Sequence, residues 1–138
     1  MSAIEDWARR VEAHHAQSLA VHEQDSWRED FWRPYASAFR ADPSRDDDPV
    51  VNRLAQEADE DTALLDVGAG AGRLALPLAL RCKHVTIVEP SGAMLEQLRA
   101  AMREHGIDNV GIVEGTWEEA TAPVADVVPC AHVLHGVA

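Results

Sequence analysis

The feature that most constrains the fold is a glycine-rich turn between two apolar segments. Residues 62–67 form a short apolar run, and Gly68, Gly70 and Gly72 follow it at alternate positions. Residues 74–80 are apolar again and have the length of a short helix. Glycine permits backbone angles that other residues avoid, and it lets a ligand lie against bare backbone. The sequence therefore predicts a strand, a turn and a helix, with a binding site at the turn.

A carboxylate stands at the end of the next apolar segment. Residues 85–88 are β-branched throughout, and Glu89 follows them. In an open α/β sheet this end of a strand faces the ligand crevice, where a carboxylate can accept hydrogen bonds from both hydroxyls of a ribose. Dinucleotide-binding proteins use the spacing G-x-G-x-x-G. That spacing would need a glycine at position 73, where this chain has Arg73. The sequence therefore disfavours an NAD-dependent oxidoreductase.

The rest of the chain continues the alternation of strands and helices. Residues 91–105 form an amphipathic helical pattern that stops at Gly106, and strands are predicted at 110–113 and within 126–133. Continuous apolar strands that alternate with helices imply a parallel sheet covered on both faces. We predict an α/β fold, a Rossmann-like three-layer sandwich with a mostly parallel sheet and an N-terminal helical extension.

The N-terminal region is predicted to be a separate helical extension. It spans residues 1–48, and the α/β domain spans residues 49–138. A helix is expected near the start of the chain, and a second helix is expected from Ser26, because Glu29 stands at the spacing of a capping box. Pro34 predicts a kink near Arg33. An N-cap and a first helical residue are predicted at Asp48–Pro49, opening a helix that runs to residue 58.

Aromatic residues and cysteines in apolar surroundings are expected to pack inside. Aromatic residues at helical spacing in the N-terminal region could pack against the sheet or could form a lid above the ligand. We favour packing against the sheet, since this spacing usually indicates a core. Both thiols are expected to be buried. The aromatic residues are Trp27, Phe31, Trp32 and Tyr35, of which all but Trp32 lie on one stripe, and the thiols are Cys82 and Cys130.

The charge of the chain argues against a nucleic-acid partner. The sequence holds 12 Lys and Arg against 24 Asp and Glu, for a formal net charge of -12. Such a surface repels phosphate backbones. No apolar run has the length of a membrane span, and the N-terminus lacks the regions of a signal peptide. We therefore expect no nucleic acid, no membrane partner and a cytoplasmic location.

Four segments resemble the motifs of the class I S-adenosylmethionine-dependent methyltransferases, specifically the small-molecule type. They are residues 64–72, 85–94, 110–117 and 126–134. The resemblance implies S-adenosyl-L-methionine as cofactor, S-adenosyl-L-homocysteine as product and an unidentified small-molecule methyl acceptor. The family fold has seven strands and only four are predicted here, so the chain is expected to be C-terminally short. A non-catalytic cofactor-binding module and a fragment of a longer methyltransferase stay as alternatives.

The resemblance also implies roles for individual residues. Asp66, Gly68 and Gly70 would lie at the methionine end of the cofactor, Glu89 at the ribose and Met94 against adenine. The family often has an acidic residue after the third strand, and here the matching position is threonine. A backbone amide or the ring of the next residue could take its place. The implied cofactor-binding residues are Asp66, Gly68, Ala69, Gly70, Gly72, Glu89, Pro90, Met94, Thr116 and Trp117.

The end of the chain suggests a candidate base and an open sheet edge. His132 follows the fourth strand and is the one candidate general base, weighed against a structural role. No third ligand accompanies His132 and His135, so no metal site is predicted. Pro129 would suit an edge strand if its missing N–H faced the open side or a bulge. An unpaired apolar edge is a template for another strand, so we expect a homodimer or the N-terminal region to cover it.

Overall fold

The computed structural model describes residues 2–21, 30–131 and 133. The expectations that concern Ser26, Trp27, Glu29 and His132 lie outside these residues, as does His135. In chain order the elements are α1 (Ala3–Val21), a 3-10 helix (Ala36–Phe39), α2 (Pro49–Ala55), β1 (Ala63–Val67), α3 (Ala75–Ala79), β2 (His84–Glu89), α4 (Gly92–His105) and β3 (Val110–Glu114). None of the helices among the described residues has the length and apolar character that a membrane crossing needs.

A parallel sheet forms the centre of the fold. Its described strands lie in the order β1-β2-β3, and both neighbouring pairs are parallel. The register places Val67 opposite Val88, and Glu89 opposite Glu114. The carboxyl ends of the three strands therefore meet at one edge of the sheet. Parallel strands joined by helices confirm the α/β prediction.

The two faces of the sheet are covered differently. Leu64, Val85 and Ile87 point to the face that carries α2, α3 and α4, and they form one core cluster with residues such as Leu76 and Leu95. The opposite face holds a smaller cluster built on Leu65, Val67 and Val88. Partly buried residues of β3 and of the irregular segment that follows it pack against this cluster, namely Val113, Ala120, Ala122 and Ala125. In the described part of the chain, irregular backbone rather than a helix covers this second face.

The predicted fourth strand is reduced to a single bridge. Val127 pairs in parallel with Leu64, but no regular ladder follows in the described segment. The amide of Leu65 donates to the Val127 carbonyl at 2.9 Å, and the amide of Val67 donates to the Pro129 carbonyl at 3.0 Å. In a parallel strand the N–H and C=O of one residue point to the same side, so Pro129 faces β1 without an N–H to donate. Of the two arrangements expected for Pro129, the one in which its missing N–H faces the open side is therefore wrong, and a bulge in this irregular segment stays a prediction.

The N-terminal aromatic residues do not pack as a helix over the sheet. The backbone from Phe31 to Tyr35 forms turns that lead into the 3-10 helix, which agrees with the interruption predicted at Pro34. Phe31, Trp32 and Tyr35 are 45%, 38% and 53% exposed. Interior packing of these rings, which was the favoured expectation, is therefore wrong for the residues described.

Several local signals in the sequence predicted helix ends correctly. The Asp48 carboxylate accepts hydrogen bonds from Val50 and Val51, which caps α2 with proline at its start. This helix ends at residue 55, earlier than predicted. Gly106 ends α4 in the left-handed conformation with φ 65°. The expected burial of the two thiols is confirmed for Cys82 and is wrong for Cys130, which is exposed.

Candidate functional site

A cavity of about 390 Å³ lies at the carboxyl ends of β1, β2 and β3. Its floor is the glycine-rich turn after β1. Its walls come from the residues after β2 and β3, from the N-terminal segment and from the end of the described chain. The lining residues are Trp32, Phe39, Asp66, Val67, Gly68, Ala69, Gly70, Ala71, Arg73, Leu74, Val88, Glu89, Pro90, Met94, Gly115, Thr116, Trp117, Glu118, Ala131 and Val133.

The glycines of the turn have different tasks. Gly70 adopts φ 57° and lines the cavity, and a Cβ atom added there would have no heavy atom within 4 Å. Gly72 adopts φ 94° and does not line the cavity. A Cβ atom at Gly72 would lie 2.7 Å from Cγ of Leu76 and 3.3 Å from Cδ1 of Leu98. Gly70 therefore keeps space open for a ligand, whereas Gly72 lets the turn pack against α3 and α4.

Glu89 fixes the turn to the end of β2. Its side chain is buried, and Oε2 accepts a hydrogen bond of 2.7 Å from the Gly70 amide. Oε1 accepts one of 3.0 Å from the Ser91 amide. Burial raises the pKa of Glu89, and these two hydrogen bonds act in the opposite direction. A carboxylate has about four acceptor positions, so both oxygens retain capacity for donors from a ligand.

Asp66 is a buried carboxyl with an unsatisfied oxygen. It is 2% exposed, and its Oδ2 atom has no hydrogen-bond partner among the described residues. Burial raises the pKa of Asp66 to about 7, and the negative charge of Glu89 adds to the rise. An unpaired buried carboxyl is costly. Because Asp66 also lines the cavity, a donor or cation bound there would relieve this cost.

The N-terminal segment is tied to the site through Asp30. The Asp30 carboxylate accepts a hydrogen bond from the Ser91 hydroxyl at 2.8 Å and one from the Ala93 amide at 2.9 Å. Burial opposes ionisation, but these hydrogen bonds hold the pKa of Asp30 below its usual value. Ser91 in turn accepts a hydrogen bond from the Met94 amide. A continuous set of hydrogen bonds thus links Asp30, Ser91, Glu89 and Gly70.

Arg73 is the one Lys or Arg among the described lining residues, and it is already paired. Its Nε atom lies 2.7 Å from Oδ2 of Asp48, and its Nη2 atom lies 3.2 Å from Oδ1. The Arg73 hydrogen bond lowers the pKa of Asp48. Asp48 thereby joins the helix cap of α2 to the glycine-rich turn. The cavity offers no unpaired cation among its described residues.

The structure brings together most of the residues that the sequence singled out. Of the ten implied cofactor residues, all except Gly72 line the cavity. Sequence reasoning missed Glu118, which lines the cavity two residues after the position where an acidic residue was sought. It also missed the link between Asp30 and Ser91, since nothing in the local sequence relates two residues 61 positions apart.

Comparisons with known proteins agree in placing this chain near methyltransferases. The profile of a family described as "Methyltransferase domain" matches residues 64–138. A ribosomal RNA small subunit methyltransferase G from Xylella fastidiosa is 36% identical over 74 residues, which cover 46% of this chain and 35% of that protein. Because the match is partial, it bears on the α/β domain and says little about the remainder of that relative.

Many solved structures resemble the described fold, among them the following two. An RNA methyltransferase from Salinibacter ruber in complex with S-adenosyl-L-homocysteine has 29% identity and a TM-score of 0.54, covering 62% of this chain and 59% of that one. The YcgJ protein from Bacillus subtilis has 27% identity and a TM-score of 0.54, covering 58% and 36%. The chain therefore spans less than two thirds of each of the three proteins compared.

Proposed function

The chain belongs to the methyltransferase domain family, and from this premise we propose that it binds S-adenosyl-L-methionine and transfers the methyl group to a small molecule. The observation that carries the proposal is the unsatisfied buried carboxyl of Asp66 at the cavity. The Asp66 and Glu89 carboxylates supply acceptors beside the glycine-rich turn, and Gly70 supplies open backbone within it. The cofactor is a cation with hydroxyl and ammonium donors, so these carboxylate acceptors fit it.

Each of these residues would contact a different part of the cofactor. Asp66 would accept from the ammonium group at the methionine end, beside Gly68 and Gly70, and Gly70 leaves open space there. Glu89 would accept from the ribose hydroxyls while it still holds the Gly70 amide. Met94 would pack against adenine. Pro90, Ala69, Thr116 and Trp117 complete this set at the cavity wall.

The chemistry needs orientation more than acid–base assistance. When bound, S-adenosyl-L-methionine supplies an activated methyl group: a lone pair of the acceptor bonds to the methyl carbon while the carbon–sulfur bond breaks and its electrons pass to sulfur. The walls of the cavity would hold the acceptor in line and exclude water. If the acceptor must lose a proton, His132 is our candidate base, and it lies outside the described residues.

An RNA acceptor is the second candidate. The names of the Xylella and Salinibacter relatives favour it. Two observations favour a small molecule instead. The net charge of -12 opposes a phosphate backbone. In addition, Arg73, the one described cation at the cavity, is paired with Asp48.

Titration calorimetry tests the cofactor proposal. The chain should bind S-adenosyl-L-homocysteine and should not bind NAD. The Asp66→Asn variant tests the residue that carries the proposal, because it keeps the shape of the side chain and removes the carboxylate charge. It should bind the product more weakly than the unaltered chain. Binding of NAD without binding of S-adenosyl-L-homocysteine would contradict the proposal.

Transfer of a radioactive methyl group separates the two acceptor classes. The chain is incubated with methyl-labelled cofactor and either a protein-free metabolite extract or purified ribosomal RNA. Label in small molecules alone supports our proposal. Label in RNA alone selects the second candidate, and no label in either fraction supports a non-catalytic binding module.

A further inference from the structure

The strongest feature beyond the cofactor residues is an aromatic wall, defined as Trp32 and Phe39 on the N-terminal segment. Both rings line the cavity. They contact each other edge to face, with centroids 5.6 Å apart and an interplanar angle of 82°. They remain 38% and 50% exposed. The wall thus presents apolar ring surface to the cavity.

The aromatic wall is held in place on both sides. Asp30 fixes its beginning to the start of α4 through Ser91 and Ala93. Arg40 joins the end of the wall to a later turn of α4, since the Nη2 atom of Arg40 lies 2.9 Å from a carboxylate oxygen of Glu104. Side-chain contacts before and after the wall thus join its segment to α4.

Packing between the two anchors holds the middle of the segment. Ala36 is buried against Ala71 of the glycine-rich turn and against Ala93 and Met94 of α4. This packing fixes the backbone between the two rings, and a preorganised backbone lowers the entropy cost of binding.

The charges at the cavity restrict what can lie against the wall. Asp66, Glu89 and Glu118 are acidic, and the guanidinium of Arg73 is taken by Asp48. A phosphate, sulfate or carboxylate on the acceptor would find no free cation among the described lining residues. Aromatic rings offer stacking or edge-to-face contacts to a flat apolar group.

We propose that the aromatic wall is the acceptor subsite and that the acceptor is a planar aromatic molecule without an anionic group. The proposal rests on the proposed function, because it assigns the acceptor half of the same cavity. Trp32 would be the specificity-determining residue, with Phe39 supporting its ring. The cofactor residues at the glycine-rich turn and at Glu89 would act independently of it.

The test compares naphthol with naphthyl phosphate, which share a ring and differ by the anionic group. Each probe is titrated calorimetrically into the chain saturated with S-adenosyl-L-homocysteine. Naphthol should bind, and naphthyl phosphate should bind more weakly. Trp32→Ala should weaken naphthol binding about tenfold, the scale of a lost aromatic contact. Phe39→Ala should weaken it less, and it serves as the second variant if Trp32→Ala does not fold.

Tyr35→Ala is the matched control. Tyr35 lies on the same segment and is similarly exposed, but it does not line the cavity. It should leave naphthol binding unchanged. The acceptor assignment is overturned if naphthol does not bind the loaded chain, if the phosphate binds more tightly, or if Trp32→Ala weakens S-adenosyl-L-homocysteine instead. Absence of S-adenosyl-L-homocysteine binding to the unaltered chain would instead refute the proposed function.

Discussion

Alanine substitutions at Gly70 and Gly72 should distinguish a residue needed for ligand binding from one needed for stability. Both glycines have positive φ, so an alanine at either position costs about 1–2 kcal/mol in backbone strain. At Gly70 this is the whole expected cost, because the added methyl group meets no protein atom. At Gly72 the methyl group also overlaps Leu76, and overpacking adds about 1–3 kcal/mol. The Gly72→Ala variant should therefore lose about 2–5 kcal/mol of unfolding free energy.

Ligand affinity should show the opposite order. The methyl group of Gly70→Ala occupies the cavity, so this variant should bind S-adenosyl-L-homocysteine much more weakly although it is the more stable of the two. Gly72→Ala should bind close to normally wherever it is folded. Urea unfolding gives the stabilities and titration calorimetry the affinities. Normal binding by Gly70→Ala, or equal stability of the two variants, would refute the assignment of one glycine to the site and the other to packing.

Three further predictions concern the carboxylates and the sheet edge. Glu89→Gln should weaken S-adenosyl-L-homocysteine binding by about 1–3 kcal/mol in calorimetry and leave the chain folded; unchanged affinity would remove Glu89 from the site. Since burial raises the pKa of Asp66 to about 7, the folded state retains a proton there that the unfolded state releases near its usual pKa. Unfolding free energy should thus fall by about 4 kcal/mol from below pH 4 to above pH 7, and Asp66→Asn should flatten that slope; an identical slope in both would contradict the raised pKa. The outer side of the segment around Val127 is unpaired among the described residues, so sedimentation at micromolar concentration should show a dimer, whereas a monomer with rapidly exchanging amides there would mean an exposed edge.

The fold and the cofactor half of the site could be predicted because local chemistry determines them. A buried strand, alternate glycines and a strand-end glutamate each carry their signal within a few residues, and Glu89 meets Gly70 as a result. Helix caps such as Asp48 are equally local. The match to the methyltransferase domain family confirms the resemblance that these motifs suggested.

Other features of the structure depend on tertiary contacts, which the spacing of residues along the sequence does not determine. Helical spacing of aromatic residues such as Phe31 and Tyr35 is compatible with burial or with exposure, and the structure exposes both rings. The direction of the Pro129 backbone depended on which residues of β1 donate to it. In the sequence, Gly72 cannot be distinguished from the other glycines of the motif. Its role in packing follows from the close approach of Leu76 and Leu98.

Backbone amide NMR during a titration with S-adenosyl-L-homocysteine would show directly whether the cofactor binds at the glycine-rich turn. We expect the largest shift changes at Gly68, Gly70, Glu89 and Thr116, at the carboxyl ends of the strands, and none of them with NAD. Changes confined to other parts of the chain, or no change at saturating ligand, would contradict this expectation.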